Sequence, residues 1–133
     1  MSAVFADTFY FLGLLNRADA AHVRCDQFSQ THRADVVSTE WVLVELADAQ
    51  CKPPSRERVG EFISQLFRNP RVSIIPSSPD LLQCGLALYN SRRDKEWALT
   101  DCLSFVAMRA NALTEALTDD EHFAQAGFKV LLK

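Results

Sequence analysis

Residues 98–105 read Ala98-Leu99-Thr100-Asp101-Cys102-Leu103-Ser104-Phe105, which places a carboxylate at the start of an otherwise apolar helix. Thr100 is a favourable N-cap, so Asp101 is predicted in the first helical turn, where unpaired N–H groups and the helix dipole favour a negative charge. Ser104 follows one turn later, near Asp101. The positions that suit a buried face are Leu103, Val106 and Ala107. The stretch therefore predicts a packed helix that begins at a polar site.

A second acidic position follows this helix. The run Glu115-Ala116-Leu117-Thr118 has the pattern of a short strand and ends abruptly in Asp119 and Asp120. Near the start of the chain, the short apolar run at residues 4–6 ends in the same way at Asp7. Because the carboxyl ends of parallel strands lie at one edge of a sheet, these acids are expected at a shared edge.

Outward from these stretches, short apolar runs alternate with helical patterns. Strands are predicted at residues 4–6, 36–38, 72–75, 115–118 and 128–132. Helices are predicted at residues 8–15, 20–30, 40–50 and 55–67, after Ser78-Pro79-Asp80, after Thr100, and over a short turn at His122. This alternation predicts an α/β fold with a mainly parallel sheet that is covered on both faces.

Length and composition limit the classes of protein that fit. The chain has 133 residues, 48% of them hydrophobic and 23% charged, which predicts one globular domain over residues 1–133. No apolar run approaches the ~20 residues that a membrane helix needs. The N-terminus lacks the basic and apolar segments of a signal peptide, so a cytoplasmic location is expected.

The cysteines, histidines and net charge carry little signal of their own. The four cysteines are scattered without a C-x-x-C pair, so they are expected to be reduced and mostly buried. The three histidines show no metal-ligand spacing. A net charge of −3 gives no general basic field for nucleic acid, but it is compatible with an enzyme whose acidic centre is neutralised by metal ions.

The acidic residues point to metal-assisted chemistry. Asp7, Asp101 and the two acids after residue 118 would meet at one sheet edge, and Glu45 stands in an otherwise apolar helix next to it. Carboxylates held together repel each other unless cations lie between them. Hard divalent ions prefer oxygen ligands, and one or two of them can activate water for the hydrolysis of a phosphodiester.

Four short blocks of sequence carry a further likeness. The blocks are Asp7-Thr8, Thr39-Glu40-Trp41-Val42-Leu43-Val44-Glu45, Thr100-Asp101-Cys102-Leu103-Ser104-Phe105, and Leu117-Thr118-Asp119-Asp120-Glu121-His122-Phe123 with Ala126-Gly127-Phe128. In this order and combination they resemble the PIN-domain ribonucleases, and among these the VapC-type toxins and their orphan relatives. The likeness extends over nearly the whole chain. Each block alone is weak, but the combination is fairly specific.

The resemblance implies a three-layer α/β/α sandwich and the Mg²⁺- or Mn²⁺-dependent hydrolysis of RNA to a 5′-phosphate and a 3′-hydroxyl. The residues at the family's acidic positions, which would hold the metal and act in catalysis, are Asp7, Glu45, Asp101 and Asp120. Asp119 is an additional acid that would assist or replace Asp120. The polar residues that would line the site are Thr8, Thr100 and Ser104.

The resemblance also implies partners. A small VapB-like antitoxin would occupy the acidic groove with its C-terminal segment. The chain would form a homodimer, with the apolar helices at residues 20–30 and 55–67 as candidate surfaces. Arg92, Arg93 and Lys95, in the loop before Asp101, could contact RNA phosphates, although a charge run of this kind is more often a solvated loop.

Simpler interpretations stay open for individual residues. The carboxylate of Asp101 could simply offset the positive end of the helix dipole, with no further role, and Glu45 could belong to the exposed stripe of its helix. His122 fits a packed, hydrogen-bonded turn residue better than a ligand or a base. For the whole chain, the alternative function is a catalytically inactive PIN-like scaffold that binds RNA or a protein. A haloacid-dehalogenase-like phosphatase fits poorly, because it would need a second Asp where Phe9 stands.

Overall fold

A computed structural model describes residues 3–133 and has a five-stranded sheet at its centre. The strands are β1 (Val4–Ala6), β2 (Val36–Thr39), β3 (Val72–Ile75), β4 (Glu115–Leu117) and β5 (Lys129–Val130). They lie in the order β3-β2-β1-β4-β5, and every neighbouring pair is parallel. The prediction of an α/β fold with a mainly parallel central sheet is confirmed.

Helices connect the strands, as parallel pairing requires. They are α1 (Thr8–Leu15), α2 (His22–Thr31), α3 (Glu40–Ala49), α4 (Ser55–Arg68), α5 (Pro79–Ser91), α6 (Leu99–Ala110) and α7 (Glu121–Gln125). The two most extensive helix pairings are α5 with α6 and α1 with α2. Within residues 3–133, none of the helices combines the length and apolar character that a membrane span requires.

An aromatic column in the core fixes α6 and α7 against the central strand. The ring centres of Phe5 on β1 and Phe123 on α7 are 6.4 Å apart. Phe123 packs edge-on against Phe105 of α6, with 4.9 Å between their ring centres. Trp97, just before α6, packs edge-on against Phe105 at 5.1 Å. Burying a side chain of this size contributes about 1.5–3 kcal/mol. The column therefore holds the starts of α6 and α7 close to the carboxyl end of β1.

The start of α6 differs from its prediction. The N-cap is Ala98 and the helix begins at Leu99, so Thr100 is a helical residue and not the cap. The carboxylate of Asp101 accepts the backbone N–H of Ala98 at 3.0 Å, which satisfies a group that has no partner inside the helix. Asp101 still lies in the first turn, as predicted.

Other boundaries move by one or two residues. The predicted helix at 20–30 spans His22–Thr31, and the predicted strand at 36–38 includes Thr39, whose Oγ1 also accepts the N–H of Val42 and caps α3. The last strand, predicted at 128–132, is assigned only to Lys129–Val130. Beyond it, the N–H of Leu132 still donates to the carbonyl of Thr118, so the extended pairing runs on in part.

The cysteine prediction is half right. All four cysteines are free, as expected. Cys25 and Cys102 are buried, but Cys51 and Cys84 are exposed, so the expectation that most are buried is wrong. Their positions explain this difference, because Cys51 follows the end of α3 and Cys84 lies on the outer face of α5.

Candidate active site

The order of the strands creates a crevice at the carboxyl edge of the sheet. The chain continues from β1 to β2 on one side, and β4 pairs with β1 on the other side. In open parallel sheets, a crevice that can hold a ligand forms beyond the carboxyl ends of two neighbouring strands where the order of the strands reverses. Asp7 follows β1 and Thr118 follows β4, so both lie at this point.

The inner pair, Asp7 and Thr118, is buried. Asp7 is 8% exposed and Thr118 is fully buried, and the Thr118 hydroxyl donates to Oδ2 of Asp7 at 3.0 Å. Burial raises the pKa of Asp7 to about 7, and the negative charges of Asp101 and Glu45 act in the same direction. Hydrogen bonds from the Thr8 backbone and from Thr118 only partly oppose this rise. The pair holds a carboxyl group that is costly to ionise without a cation.

Glu45 reaches the site from α3. Its carboxylate accepts a hydrogen bond from the hydroxyl of Thr8, which is buried in the first turn of α1. Glu45 itself is exposed, as the interpretation of an exposed helix stripe would have it. It is nevertheless held in place, because its partner Thr8 is the residue next to Asp7. Asp7 and Glu45 are thus joined through one threonine.

The outer cluster consists of Asp101, Asp120 and His122, all partly exposed. One ligand atom from each of the three residues lies within 4.8 Å of the others. Nδ1 of His122 is 3.0 Å from Oδ2 of Asp101 and 3.5 Å from Oδ1 of Asp120. Burial raises the pKa of Asp101, and the charge of Asp120 adds to this effect, whereas hydrogen bonds from His122 and Ala98 oppose it.

The two consecutive acids after β4 have different surroundings. Asp120 caps α7 by accepting the N–H of His122 at 2.9 Å, and its own N–H donates to the hydroxyl of Thr118. Asp119 is exposed and lies 3.5 Å from Nη2 of Arg24, on α2. The prediction that Asp119 would assist or replace Asp120 has no support in this geometry, because Asp119 forms an ion pair outside the cluster.

The three predicted supporting residues differ in what they contact. Ser104 is buried one turn after Asp101, and its Oγ has no hydrogen-bond partner among the described residues. Thr100 is half-buried, and no side-chain hydrogen bond of Thr100 is found within residues 3–133. Thr8 bonds Glu45 as described above. Thr8 and Ser104 therefore belong to the site by contact or position, and Thr100 only by sequence.

The basic loop before α6 is partly ordered by its own contacts. Arg92 forms two hydrogen bonds of 3.0 Å with Asp94, and its guanidinium lies 5.1 Å from the ring centre of Trp97. Lys95 lies 5.9 Å from the same ring. Arg93 is exposed. The interpretation of a freely solvated loop therefore holds for Arg93 but not for Arg92 or Lys95.

The chemistry of the donor groups suits a hard divalent cation. The groups are carboxylate oxygens and one imidazole; besides burial, the charges of Asp101 and Glu45 raise the pKa of Asp7, and the charge of Asp120 raises that of Asp101. The unpartnered hydroxyl of Ser104 adds a buried polar atom next to Asp101. Mg²⁺ and Mn²⁺ bind such oxygen-rich sets and would relieve the repulsion among the acids. The residues present therefore fit such an ion.

Sequence reasoning missed the roles of two residues. His122 was expected to be a packed, hydrogen-bonded turn residue; it is hydrogen-bonded, but its partners, the two outer acids, were not predicted. The spacing Asp120-x-His122 at a helix start carries a usable signal, because an N-cap acid approaches the residue two positions on. Arg24 gave no signal, since its contacts with Asp119 and with the carbonyl of Leu132 depend on distant parts of the chain.

Comparison with known proteins relates this arrangement to solved structures. No protein-family model matches the chain, and no curated protein does. VapC20 of Mycobacterium tuberculosis, a toxin that cleaves the sarcin–ricin loop, is similar with a TM-score of 0.88 and 21% identity, covering 98% of this chain and 99% of VapC20. FitAcB of Neisseria gonorrhoeae has a TM-score of 0.71 and 16% identity, covering 98% and 96%. VapBC2 of Rickettsia felis, bound to DNA from its promoter, has a TM-score of 0.68 and 14% identity, covering 98% of this chain and 98% of the matched chain. The chain therefore has the PIN-like α/β fold of the VapC toxins.

Proposed function

We propose that the chain is a metal-dependent endoribonuclease of the VapC toxin type, acting in the cytoplasm as a single domain. The observation that carries the proposal is the meeting of acids from four separate elements at the crevice beyond β1 and β4. The charges of Glu45 and Asp101 raise the pKa of Asp7, and His122 contacts both Asp101 and Asp120. A cluster of this kind is electrostatically unfavourable in a protein that has no use for a cation.

The residues of the cluster have separate tasks in this proposal. Asp7, Glu45, Asp101 and Asp120 would hold Mg²⁺ or Mn²⁺, which supplies charge neutralisation at the phosphate and lowers the pKa of water. Thr118 fixes the carboxyl group of Asp7, and Thr8 fixes that of Glu45. Ser104 offers a buried hydroxyl beside Asp101.

The reaction is an in-line displacement at phosphorus. A water oxygen bonds to phosphorus as the bond from phosphorus to the 3′ oxygen breaks, which leaves a 5′-phosphate and a 3′-hydroxyl. The proton lost by the water must pass to a nearby base. The 3′ oxygen takes up a proton as it leaves, which gives the 3′-hydroxyl.

Structural similarity supports the toxin class. The neighbours include toxin chains and toxin–antitoxin complexes, among them one from Klebsiella pneumoniae with a TM-score of 0.62. From these neighbours we infer that this chain has an antitoxin partner and an RNA substrate. A homodimer is also part of the proposal. The predicted dimer surfaces on α2 and α4 each expose a large apolar side chain, Val23 at 65% and Phe67 at 58%.

The decisive experiment is cleavage of a mixed RNA pool by the purified chain, with Mn²⁺ and with EDTA. The Asp101→Asn variant tests the site, and Asp35→Asn serves as a control that removes an exposed carboxylate before β2, at the opposite edge of the sheet. We expect cleavage that requires Mn²⁺, is lost in Asp101→Asn and is kept in Asp35→Asn. Cleavage that survives both EDTA and Asp101→Asn would contradict the proposal.

The second candidate function, a non-catalytic scaffold, makes the opposite prediction. It requires neither cleavage nor a bound ion, so calorimetry with Mn²⁺ separates the two. Absence of RNA cleavage under every condition, together with absence of Mn²⁺ binding, would favour the scaffold. The raised pKa values of Asp7 and Asp101 favour the enzyme, because a scaffold gains nothing from crowded carboxyl groups.

A further inference from the structure

A polar pocket of about 510 Å³ lies between the end of α5 and the start of α6, beside the acidic site. We propose that this pocket binds one unstacked nucleotide of the RNA, with its phosphate at Arg93 and its base near Asn90 and Glu96. The inference rests on the proposed function, since it names how the substrate of that site is held. It assigns to the pocket a role beyond general attraction of the RNA backbone.

The charge of the pocket favours an anionic ligand. Its lining includes Arg92, Arg93 and Lys95 and one acid, Glu96, whereas the chain as a whole has a net charge of −3. Asp94, next to the pocket, pairs with Arg92 and lies 4.0 Å from Lys95, so Arg93 is the cation of the lining that stays free for a ligand. Among residues 3–133, no ion pair engages Arg93, so its guanidinium is available. Arginine is well suited to phosphate because its planar fork donates two parallel hydrogen bonds.

The pocket also has a fixed flat surface. Arg92 is held by Asp94 through two hydrogen bonds and lies against Trp97, which is 5% exposed. The hydrogen bond from Arg92 lowers the pKa of Asp94 to about 2, so this pair stays charged at neutral pH. Unpaired RNA bases stack on guanidinium planes and on aromatic rings. An ordered arginine on a tryptophan provides such a platform.

The remaining lining groups can distinguish bases. Asn90 supplies an amide with donors and an acceptor, Glu96 supplies an acceptor, and Tyr89 supplies a hydroxyl. The volume lies in the range of about 300–1,000 Å³ that is typical of small-molecule sites. A phosphate group alone would not use these groups. A nucleotide uses the cations and the hydrogen-bonding side chains together.

The pocket is physically joined to the acidic cluster. Ala98 lines the pocket, and its N–H donates to Oδ2 of Asp101. Nε1 of Trp97 donates to Oε1 of Gln125 at 2.9 Å, on the same short helix as His122. A nucleotide in the pocket would therefore lie next to the bond that is cut, and would set which nucleotide is preferred there.

The first test needs no cleavage activity. The ¹⁵N-labelled chain is titrated with AMP, GMP, CMP and UMP, with inorganic phosphate, and with a poly-glutamate peptide, and the indole N–H signal of Trp97 is followed. We expect saturable shifts with at least one nucleotide and much weaker binding of phosphate. Arg93→Ala and Asn90→Ala should weaken nucleotide binding, whereas Arg33→Ala, which removes an exposed arginine before β2, should not. All three positions are exposed, so the variants should fold.

The second test uses RNA cleavage. Arg93→Ala and Asn90→Ala are expected to raise KM by about tenfold with kcat nearly unchanged, and to relax the preference for one nucleotide beside the cut. Arg33→Ala should leave both constants unchanged. A purely structural defect would instead lower kcat and the melting temperature together.

The outcomes separate the pocket from the nuclease. If the wild-type chain cuts RNA but the two pocket variants behave like Arg33→Ala in both tests, the pocket proposal is wrong and the proposed function stands. Equal or tighter binding of phosphate or of the glutamate peptide would also overturn it, in favour of a simple anion or peptide site. If the wild-type chain cuts no RNA, the proposed function fails, and the nucleotide titration alone decides the pocket.

Discussion

The inner pair and the outer cluster of the site solve the same electrostatic problem in different ways. Asp7 lies in the core and has its charge offset only by hydrogen bonds from Thr118 and from the Thr8 backbone. Asp101 and Asp120 lie at helix starts, share His122, and remain partly open to solvent. Burial raises the pKa of both Asp7 and Asp101, but Asp101 is more open to solvent and has His122 as a partner, so the inner acid depends more on a proton or a cation.

The largest effect should come from breaking the inner pair. Asp7→Asn is expected to reduce RNA cleavage by about 10³-fold or more, since it removes a proposed metal ligand without changing the shape of the side chain. In EDTA at pH 8, the same variant should be more stable than wild type, because it no longer buries a charge. Cleavage assays and urea unfolding measure the two effects. Asp35→Asn is the control, and a variant that kept full activity would remove Asp7 from the site.

The next effect concerns pH. The folded pKa of Asp7, about 7, lies above the ordinary aspartate pKa of 3.8, so the folded protein binds this proton more tightly than the unfolded chain does. The stabilisation is therefore fully present below about pH 4 and is lost as the pH rises to 7, by the order of a few kcal/mol. Urea unfolding in EDTA from pH 4 to 8 should show the loss.

Asp7→Asn and Mn²⁺ are the controls for this pH dependence. The variant should show a much flatter profile over the same window, because it has no proton to lose at that position. Saturating Mn²⁺ should restore stability at pH 8 in the wild type. An unchanged profile in the variant would show that other groups cause the slope.

A smaller effect is expected at the hydroxyl that joins the two halves. Thr118 donates to Asp7 and accepts the N–H of Asp120, so Thr118→Val removes one hydrogen bond from a buried carboxyl group and one from a partly buried N–H. We expect a loss of about 1–3 kcal/mol in the free energy of unfolding and weaker Mn²⁺ binding. Thr118→Ser keeps the hydroxyl and should preserve metal affinity. Equal Mn²⁺ affinities for the two variants, measured by calorimetry, would mean that the hydroxyl does not organise the site.

The smallest effect on RNA cleavage is expected at Asp119, which lies just outside the outer cluster. Asp119→Asn removes an acid that is paired with Arg24 on an exposed surface, and such pairs contribute about 0–1 kcal/mol. Its cleavage rate should stay close to that of wild type, whereas Asp120→Asn should lose most activity. The same RNA assay measures both. A large loss in Asp119→Asn would return this residue to the metal site.

Local patterns predicted much of the fold. The bounds of β1 and β3 follow from short, mainly apolar runs that end at Asp7 and at Pro76, and the start of α5 follows from Ser78-Pro79-Asp80. The start of α6 could not be derived in this way, because two groups competed to cap it. The carboxylate of Asp101 accepts the backbone N–H of Ala98, and this hydrogen bond favours a helix that begins at Leu99. A cap by the Thr100 hydroxyl would place the start later in the chain.

The site was predictable as a set of acids but not as a geometry. That Asp7, Asp101 and an acid after residue 118 share a sheet edge follows from their positions at strand and helix ends. Which of the two consecutive acids turns inward depends on Arg24, and the role of Trp97 depends on packing against Arg92 and Phe105. Contacts between distant segments leave no local pattern in one sequence.

The pairing of β1 with β4 also determines when the site can form during protein synthesis. Phe5 and Ala6 pair with Ala116 and Leu117, so a nascent chain has an incomplete sheet until β4 has left the ribosome. Until then Asp7 lacks the Thr118 hydroxyl, and the outer cluster lacks Asp120 and His122. For a chain proposed to cut RNA, this order has a protective consequence. Translation products that end before β4 carry at most three of the four acids and none of the assembled crevice, so a ribosome that stalls early releases no active nuclease.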